Sequence, residues 1–395
     1  MNNLLFSLAS RSLWLIVIRL SLPYPVQAQI TGSGDNDEKP VHVLESPAQY
    51  TGPSDSPIDL DHIDTVKIGL FLAQRNNSHL IKAAEMAASE YNDMGGFHGK
   101  KFRIVQRWAE NPWAAGSKEM IKLIYEDSVW AIIGSHDGNT THIAEQVVTK
   151  ARITLISPIS ADPTLNYVNI PWMFRLPPDY RLQAIHLLEK GIKIHSGSRV
   201  GLISTDNHDG RIFSQNMNKA LSMNGTPAIF HFEITKVADL TNIMNRSISF
   251  NPDGLVLQLS PESLTSLLKD LEKINFSGAV FIPWIPGMPA FELNAYQNLQ
   301  IYQVQPFSVQ DNAMYISFEK RFNDLYGILP MAEDAYMYDA MSMVMNAIKI
   351  SGLSRAKIRS TIAELTAVKG VTGIIDWDNG GGNTAKPVLH IVNLH

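Results

Sequence analysis

The sequence YNDMGGFHGKKF, residues 91–102, predicts the end of a helix followed almost at once by a strand. Upstream, residues 66–72 are typical of a buried strand, and apolar residues then recur at helical spacing from Leu80 to Tyr91. Gly95 and Gly96 stand where that helix must stop, because glycine adopts left-handed backbone angles without a Cβ clash. The stretch therefore predicts the first strand–helix–strand unit of an α/β fold.

Composition narrows the class of protein. The 395 residues exceed the usual size of one hydrophobic core, so two lobes are expected. The formal net charge of -5 gives no basic field, and no Lys/Arg cluster stands out, so a nucleic-acid partner is not expected. The chain has no cysteine, which excludes disulfides and lipid attachment at a cysteine.

The N-terminus carries an export pattern. Arg11 and Arg19 flank an apolar run at residues 13–18, and residues 26–28, Val-Gln-Ala, form a small-residue cleavage pattern. We expect residues 1–28 to be a signal peptide and the mature protein to be periplasmic. An uncleaved membrane anchor is the alternative, although the apolar run is far shorter than the ~20 residues of a bilayer span. Residues 29–64, rich in Gly, Ser, Pro and Asp, predict a flexible leader that serves as a spacer or a docking tail.

After the leader, strands and helices alternate as in a parallel sheet. The predicted strands are Val66–Leu72, Phe102–Gln106, Val129–Gly134, Thr154–Ser157, Arg199–Ser204, Ile229–Glu233, Gly254–Leu259 and Ala279–Ile282. The predicted helices after the first are Trp113–Glu126, Thr140–Lys150, Tyr180–Ile194, Arg211–Met223, Leu240–Ile248 and Pro261–Ile274. The pattern predicts an α/β fold of two doubly wound parallel-sheet lobes.

Three motifs resemble the type I periplasmic binding proteins, in particular the branched-chain amino acid and amide (leucine-binding protein) family of ABC transporters. Residues 91–99 resemble the family's Ile-Asn-x-x-Gly-Gly-(aliphatic)-x-Gly. Residues 370–380, GVTGIIDWDNG, resemble its closing Gly-Val-Thr-Gly-x-Ile-x-Phe-Asp-x-x-Gly, and DAYMYDA at 334–340 precedes them. With these motifs the likeness spans nearly everything from Val66 to Leu394.

The resemblance implies a hinge of three strands where the chain crosses between lobes. The crossings would lie at Trp172–Pro177, Tyr302–Phe307 and Val368–Gly373. Lobe 1 would then hold residues 65–176 plus 307–368, and lobe 2 residues 177–306 plus 369–395.

A ligand site is expected where four loops follow strands, because ligands of open α/β sheets bind beyond the carboxyl ends of the strands. The loops cover residues 134–141, 157–163, 205–210 and 280–287. The expected ligand-binding residues are Ser135, His136, Asp137, Gly138, Asn139, Thr140, Ser160, Ala161, Asp162, Asn207, Asp209 and Trp284.

These loops depart from the family pattern at three positions. The serine that grips the carboxylate of the ligand in amino-acid-binding relatives falls at Gly138, and Asp209 replaces an aromatic residue. Trp284 stands where leucine-type relatives place a Glu that pairs with the ammonium of the ligand; a tryptophan can hold a cation over its face but cannot form that charged hydrogen bond. A standard branched-chain amino acid is therefore disfavoured. Asp137, Asp162 and Asp209 favour a cationic or amine-bearing ligand, with helix capping as the alternative for Asp162 and Asp209.

Metal and catalytic chemistry are not expected. His136, Asp137, His142 and His208 raise the possibility of a metal site, but His136 and His142 are six residues apart and do not form a facing helical pair. The sequence therefore favours solvated or capping histidines, with no metal and no cofactor. The chain has no Gly-x-Ser-x-Gly, His-Glu-x-x-His or P-loop motif, so it is not expected to be an enzyme.

The expected function is an exported solute-binding protein. It would close around a small polar or amine-bearing ligand (amino acid-like, an amide or a related compound) and hand it to an ABC permease in the inner membrane. The altered loops and the long leader also fit an alternative, a non-transport periplasmic sensor or an accessory subunit of a redox enzyme or receptor, whose partner would be a periplasmic protein.

Overall fold

The structure, a computed structural model, describes residues 58, 60–73, 75, 78–109, 115–135, 137–288, 290–310 and 312–392. The predicted signal peptide, residues 29–57 of the predicted leader, the candidate ligand residue His136 and the predicted helix start at Trp113 lie outside the described residues.

The first sheet has five parallel strands. They are β1 (Thr65–Leu72), β2 (Lys101–Trp108), β3 (Ile132–Gly134), β4 (Leu155–Ser157) and β5 (Met173–Arg175), in the order β2-β1-β3-β4-β5. Val66, Ile68 and Leu70 of β1 are fully buried, as a central strand covered on both faces requires.

The second sheet has six strands, and all of them are parallel except the C-terminal strand, which pairs antiparallel with its neighbour. They are β6 (Val200–Thr205), β7 (Phe230–Ile234), β8 (Gly254–Gln258), β9 (Ala279–Ile282), β10 (Gln300–Gln305) and β13 (Val388–Val392), in the order β13-β10-β9-β8-β6-β7. A two-stranded sheet pairs β11 (Val368–Gly370) with β12 (Gly373–Ile375).

Helices connect these strands. The α-helices are α1 (Ser78–Asp93), α2 (Ser117–Ile121), α3 (Gly138–Ala151), α4 (Thr164–Tyr167), α5 (Tyr180–His186), α6 (Lys193–His195), α7 (His208–Met223), α8 (Leu240–Ser249), α9 (Pro261–Lys273), α10 (Ala313–Tyr326), α11 (Ala332–Ser351) and α12 (Arg355–Ala363). Two π-helical segments, Lys122–Glu126 and Leu187–Ile192, continue α2 and α5, and 3-10 turns span Leu60–His62, Val237–Asp239 and Ala290–Ala295.

The α/β class with parallel sheets is confirmed, and each predicted strand overlaps an observed one. Five strands were not among the predicted strands. β5 and β10 lie within or across the predicted first and second crossings, β11 and β12 lie within or at the end of the third, and β13 was not predicted in any form. The lobe boundaries given above stay a prediction.

The glycine-rich stretch ends α1 as predicted. Gly95 and Gly96 have φ angles of 93° and 60°, and a Cβ on Gly96 would lie 2.2 Å from the carbonyl oxygen of Lys100. The Asn92 side chain donates to the Phe102 carbonyl (3.0 Å) and accepts from the Phe102 amide (2.7 Å). The motif therefore fixes both the end of the helix and the start of the next strand.

The closing motif is held by one buried carboxylate on α11. Asp339 accepts hydrogen bonds from the amides of Val371 (2.8 Å) and Thr372 (2.9 Å) and from the Thr372 hydroxyl (2.6 Å). A Cβ on Gly370 would lie 2.5 Å from the same carboxylate. The loop between β11 and β12 is thus tied to a long helix, which explains why the two sequence motifs belong together.

Among the described residues, the helices include none that is both long and apolar enough to cross a membrane.

Candidate ligand-binding site between the two sheets

The loop after β3 is organised by Asp137, the N-cap of α3. Its Oδ1 accepts from the Thr140 amide (2.7 Å) and the Thr140 hydroxyl (2.6 Å), and the Ser135 hydroxyl lies 2.5 Å from the Thr140 hydroxyl. Ser135 and Thr140 are buried, whereas Asn139 is half-exposed in the first turn of the helix. These side chains shape the N-terminus of α3 and leave the backbone amide of Gly138 directed outward from the loop.

The Gly138 amide lies next to a carboxylate on α7, the helix that follows β6 of the second sheet. The Gly138 N–H lies 3.2 and 3.3 Å from the two carboxylate oxygens of Asp209, which sits in the first turn of α7. A Cβ at position 138 would lie 2.7 Å from oxygens of both Asp162 and Asp209, so only glycine leaves room for this approach. Because a helix N-terminus carries partial positive charge, it favours a carboxylate at this point.

Asp209 is not the cap of its own helix. Asn207 takes that role, since its side chain accepts from the Gly210 amide at 2.7 Å. Asp206, in the same loop, is exposed and pairs with Arg211 at 2.9 Å. Of the two aspartates in this loop, Asp209 is the one that faces the other lobe.

Asp162 has the capping role that the sequence left open and also contacts two histidines. Its Oδ1 accepts from the amide (2.8 Å) and hydroxyl (2.7 Å) of Thr164 at the start of α4. Its Oδ2 lies 3.2 Å from Nε2 of His142 and 2.6 Å from Nε2 of His208. One oxygen therefore caps a turn, and the other joins histidines from α3 and α7. We call His142, Asp162, His208 and Asp209 the aspartate–histidine cluster.

The expectation of merely solvated or capping histidines is wrong for His142 and His208. Both side chains are 30% exposed, yet each contacts Asp162, and their ring centroids are 5.7 Å apart. Nδ1 of His142 also lies 3.0 Å from Glu145, a buried carboxylate one turn along α3.

Burial and close charge shift the pKa values of this cluster. Burial alone would lower the pKa of His142, but hydrogen bonds to Asp162 and Glu145 outweigh it and raise the pKa to about 9. Burial would raise the pKa of Asp162, but its bonds to His142, His208 and Thr164 hold it well below the usual range. Burial raises the pKa of Asp209 to about 7, and the negative charges of Asp137 and Asp162 act in the same direction.

Ser160 supports the cluster through its hydroxyl, and Ala161 through its backbone carbonyl. The Ser160 hydroxyl accepts from the Asp162 amide at 3.3 Å, and the Ala161 carbonyl accepts from the Tyr180 amide at 2.8 Å. Tyr180 is buried and packs edge-on against Phe213 at 5.8 Å. Burial raises its pKa, and the charges of Asp209 and Asp162 act in the same direction.

Trp284 lies in a different contact between elements of the two sheets. It is 4% exposed, its amide donates to Gln183 (3.0 Å), and its ring centroid is 6.0 Å from that of Tyr336 on α11. The Gly287 amide donates to Glu333, also on α11, at 2.7 Å. Helix α11 packs on α1 of the first sheet. We call Trp284, Gly287, Glu333 and Tyr336 the tryptophan contact.

The sequence analysis considered His142 and His208 as metal ligands but did not predict their contact with Asp162, and it missed Glu145, Tyr180 and Glu333. His142 and Glu145 are three residues apart on one helix face, a spacing that signals a pair and could have been found. His208, Tyr180 and Glu333 carry no such local signal, because their partners lie on distant segments of the chain.

The profile of the periplasmic binding protein family matches residues 72–392, so the chain belongs to that family. This assignment fits both the two parallel sheets and the polar groups that meet between them. Proteins of this family are periplasmic binding proteins, not enzymes.

Solved structures agree with the assignment. An ABC transporter substrate-binding protein from Desulfitobacterium hafniense in complex with Leu is 20% identical, with a TM-score of 0.71 over 83% of this chain and 97% of that one. The leucine-binding protein LivK from Thermotoga maritima is 18% identical, with a TM-score of 0.72 over 83% and 95%. A solute-binding protein from R. palustris in complex with benzoate is 18% identical, with a TM-score of 0.71 over 83% and 93%. The shared fold is that of type I periplasmic binding proteins.

A curated relative has a larger architecture. Glutamate receptor 3.7 of Arabidopsis thaliana is 23% identical over 227 residues, which is 55% of this chain and 24% of the receptor. The chain thus spans about a quarter of the length of the curated relative it matches.

Proposed function

We propose that this protein is an exported solute-binding protein that encloses a small polar or amine-bearing ligand between its lobes and delivers it to an ABC importer. The observation that carries the proposal is the meeting of Asp209 with the N-terminus of α3, 3.2 Å from the Gly138 amide. In open α/β folds this edge of the sheets is where ligands bind. In this chain that edge is lined by groups that can bind both a positively charged and a negatively charged end of a small molecule.

The cluster favours an amine at one end of the ligand. Asp162 and Asp209 come from different sheets and sit on the same side of Gly138, where their charges act on each other. An ammonium group between them would neutralise both carboxylates and form charge-assisted hydrogen bonds. A carboxylate on the same ligand would compete with Asp209 for the Gly138 amide, as expected for an amino acid or a related compound.

The similar solved structures hold ligands of different kinds. One holds leucine and another holds benzoate, two molecules that share a carboxylate and differ in their amine. We therefore propose that the loops of this chain set a ligand preference of their own, with Asp209 and Asp162 as the residues that read the amine. Export through cleavage after Ala28 and a permease partner in the inner membrane complete the proposal.

A thermal-shift screen tests this function directly. The full chain is heated with amino acids, amines, amides and aromatic acids, because a ligand that binds only the folded state stabilises it by about 2.7 kcal/mol at one hundred times its Kd. We expect at least one amine-bearing compound to raise the Tm, and solution scattering with that compound to report a more compact chain. A panel without any stabilising compound would contradict the proposal.

A sensor or accessory role is the second candidate. The observation that favours it is the likeness to a segment of a plant receptor, in which the matched part is about a quarter of the whole. Affinity capture from periplasm with the full chain as bait separates the two roles: recovery of a permease supports transport, whereas recovery of a receptor or redox subunit supports sensing.

A further inference from the structure

Three side chains of the aspartate–histidine cluster converge on one point. Nε2 of His142, Oδ2 of Asp162 and Nε2 of His208 all lie within 4.8 Å of one another. Two imidazole nitrogens and one carboxylate oxygen are a ligand set that Zn²⁺ and related transition metals take, whereas Ca²⁺ and Mg²⁺ prefer oxygen ligands alone. The first two side chains follow strands of the first sheet, and the third follows β6 of the second sheet.

Neighbouring groups aim these three atoms at each other. Glu145 holds Nδ1 of His142 at 3.0 Å, an arrangement that directs the opposite nitrogen of a metal-binding imidazole toward the ion. Thr164 holds Oδ1 of Asp162 through its amide and hydroxyl, which leaves Oδ2 to face the histidines. Two of the three donor groups thus have fixed orientations before any ion binds.

The hydrogen-bonding groups around His142 Nε2 and Asp162 Oδ2 require a positive charge between these two atoms. Because Nδ1 of His142 donates to Glu145, the 3.2 Å contact between its Nε2 and Asp162 Oδ2 needs either a proton on Nε2 or a metal ion. The Thr164 hydroxyl lies 2.8 Å from that nitrogen, but its single proton is also directed to Asp162 Oδ1 at 2.7 Å. A metal ion bound by the nitrogen and the carboxylate would take the place of that proton and satisfy both groups.

The distances suit a small ion after a minor adjustment. Ligand atoms about 2.0 to 2.2 Å from a tetrahedral Zn²⁺ lie roughly 3.3 Å apart. The separation of 3.2 Å between His142 and Asp162 already matches this value, and the 2.6 Å between His208 and Asp162 requires a shift of less than about 1 Å. Asp137 places further negative charge near the point, which favours a dication.

We infer that His142, Asp162 and His208 form a binding site for a divalent transition-metal ion of the Zn²⁺ class, which joins the two lobes and keeps a position open for water or a ligand donor. Glu145 is a positioning residue for His142. The inference goes beyond the proposed function and does not depend on it, since metal binding is measured without any organic ligand or permease.

Zn²⁺ and Co²⁺ titrations test the site. The full chain is purified without a polyhistidine tag, because histidine-rich tracts bind metal themselves, and is stripped with a chelator. We expect one Zn²⁺ per chain by calorimetry, and a visible d–d absorption of Co²⁺ typical of a tetrahedral nitrogen and oxygen site. Binding of Zn²⁺ without a defined stoichiometry, or a Co²⁺ spectrum identical to that of the aqueous ion, would overturn the inference.

Matched variants assign the ligands. Asp162→Asn keeps an oxygen that can accept from Thr164 but removes the charge, and His208→Gln keeps a polar side chain of similar length; each should weaken Zn²⁺ binding by about 100-fold or more. Glu145→Gln should weaken it by about 10-fold to 100-fold and leave the stoichiometry at one. The control His98→Asn changes an exposed histidine whose φ of 49° asparagine tolerates, and should bind as the parent chain does. Equal affinity in the parent, Asp162→Asn and His208→Gln chains would rule out this site.

Discussion

The aspartate–histidine cluster and the tryptophan contact both bridge elements of the two sheets, but the chemistry of their side chains differs. The cluster holds three ionisable side chains around Asp162, and its two imidazoles are 30% exposed. The tryptophan contact buries a large ring, 4% exposed, against Tyr336 and adds one hydrogen bond from Gly287 to Glu333. The difference indicates that the first contact is suited to exchange polar partners, whereas the second supplies packing.

The largest expected effect is the loss of packing in the tryptophan contact. Trp284→Ala removes a buried ring and should lower the free energy of unfolding by about 3–5 kcal/mol. Denaturant unfolding followed by circular dichroism measures this, with Trp284→Phe as the control that keeps a ring and should lose less. An unchanged midpoint for Trp284→Ala would mean that this contact contributes no packing energy.

A smaller loss is expected in the cluster. Asp162→Ala removes the partner of two histidines and the acceptor of the Thr164 amide, and should cost about 1–2 kcal/mol, below the value for fully buried pairs because the imidazoles are partly exposed. The same unfolding assay applies, with Asp162→Asn as the variant that keeps the acceptor for Thr164. If Asp162→Ala proved more damaging than Trp284→Ala, the contrast between the two contacts would fail.

Glu333 makes the stability of the tryptophan contact depend on pH. Burial, together with the negative charge of Asp334, raises the pKa of Glu333 to about 7, above the 4.5 of the unfolded chain. A raised pKa contributes stability that is present below about pH 4.5 and is lost as the pH rises through about 7. Relative to the parent, Glu333→Gln should therefore gain thermal stability between pH 5 and 8, within about this window. A difference in Tm that is flat over that range would contradict the shift.

The smallest effect on stability is expected from Asp209→Asn. The substitution keeps an oxygen that can accept from the Gly138 amide, so it should change the free energy of unfolding by less than about 1 kcal/mol. Its effect should appear in ligand binding instead. A large loss of stability, measured in the same denaturant series, would place Asp209 with the packing residues rather than the binding residues.

Most strands and helices could be predicted from the sequence because the patterns that define them are local. Gly95 and Gly96 stop a helix whose apolar spacing is visible in the chain, and β1 was predicted to within one residue of its observed start at Thr65. β13 was missed because its existence depends on antiparallel pairing with β10, a distant segment. The predicted helix 113–126 was placed correctly only in part, since α2 begins at Ser117 and passes into a π-helical turn.

The candidate site was harder to predict than the scaffold. The loops that hold Asp137, Asp162 and Asp209 were found because they follow strands. The contacts of Asp162 with His142 and His208 were not predicted, because His208 meets Asp162 only after two sheets have folded and come into contact. Whether the twelve expected residues bind a ligand stays a prediction.

Calorimetric titration of the strongest compound from the thermal-shift screen tests the central claim, that polar groups at the N-termini of α3 and α7 bind a small ligand. Asp209→Asn should weaken binding by about tenfold or more, because a hydrogen bond to a charged group contributes about 1.5–3 kcal/mol. Asp206→Asn changes an exposed aspartate of the same loop and should bind with the affinity of the parent chain. Equal affinities for the parent and Asp209→Asn chains would contradict the claim.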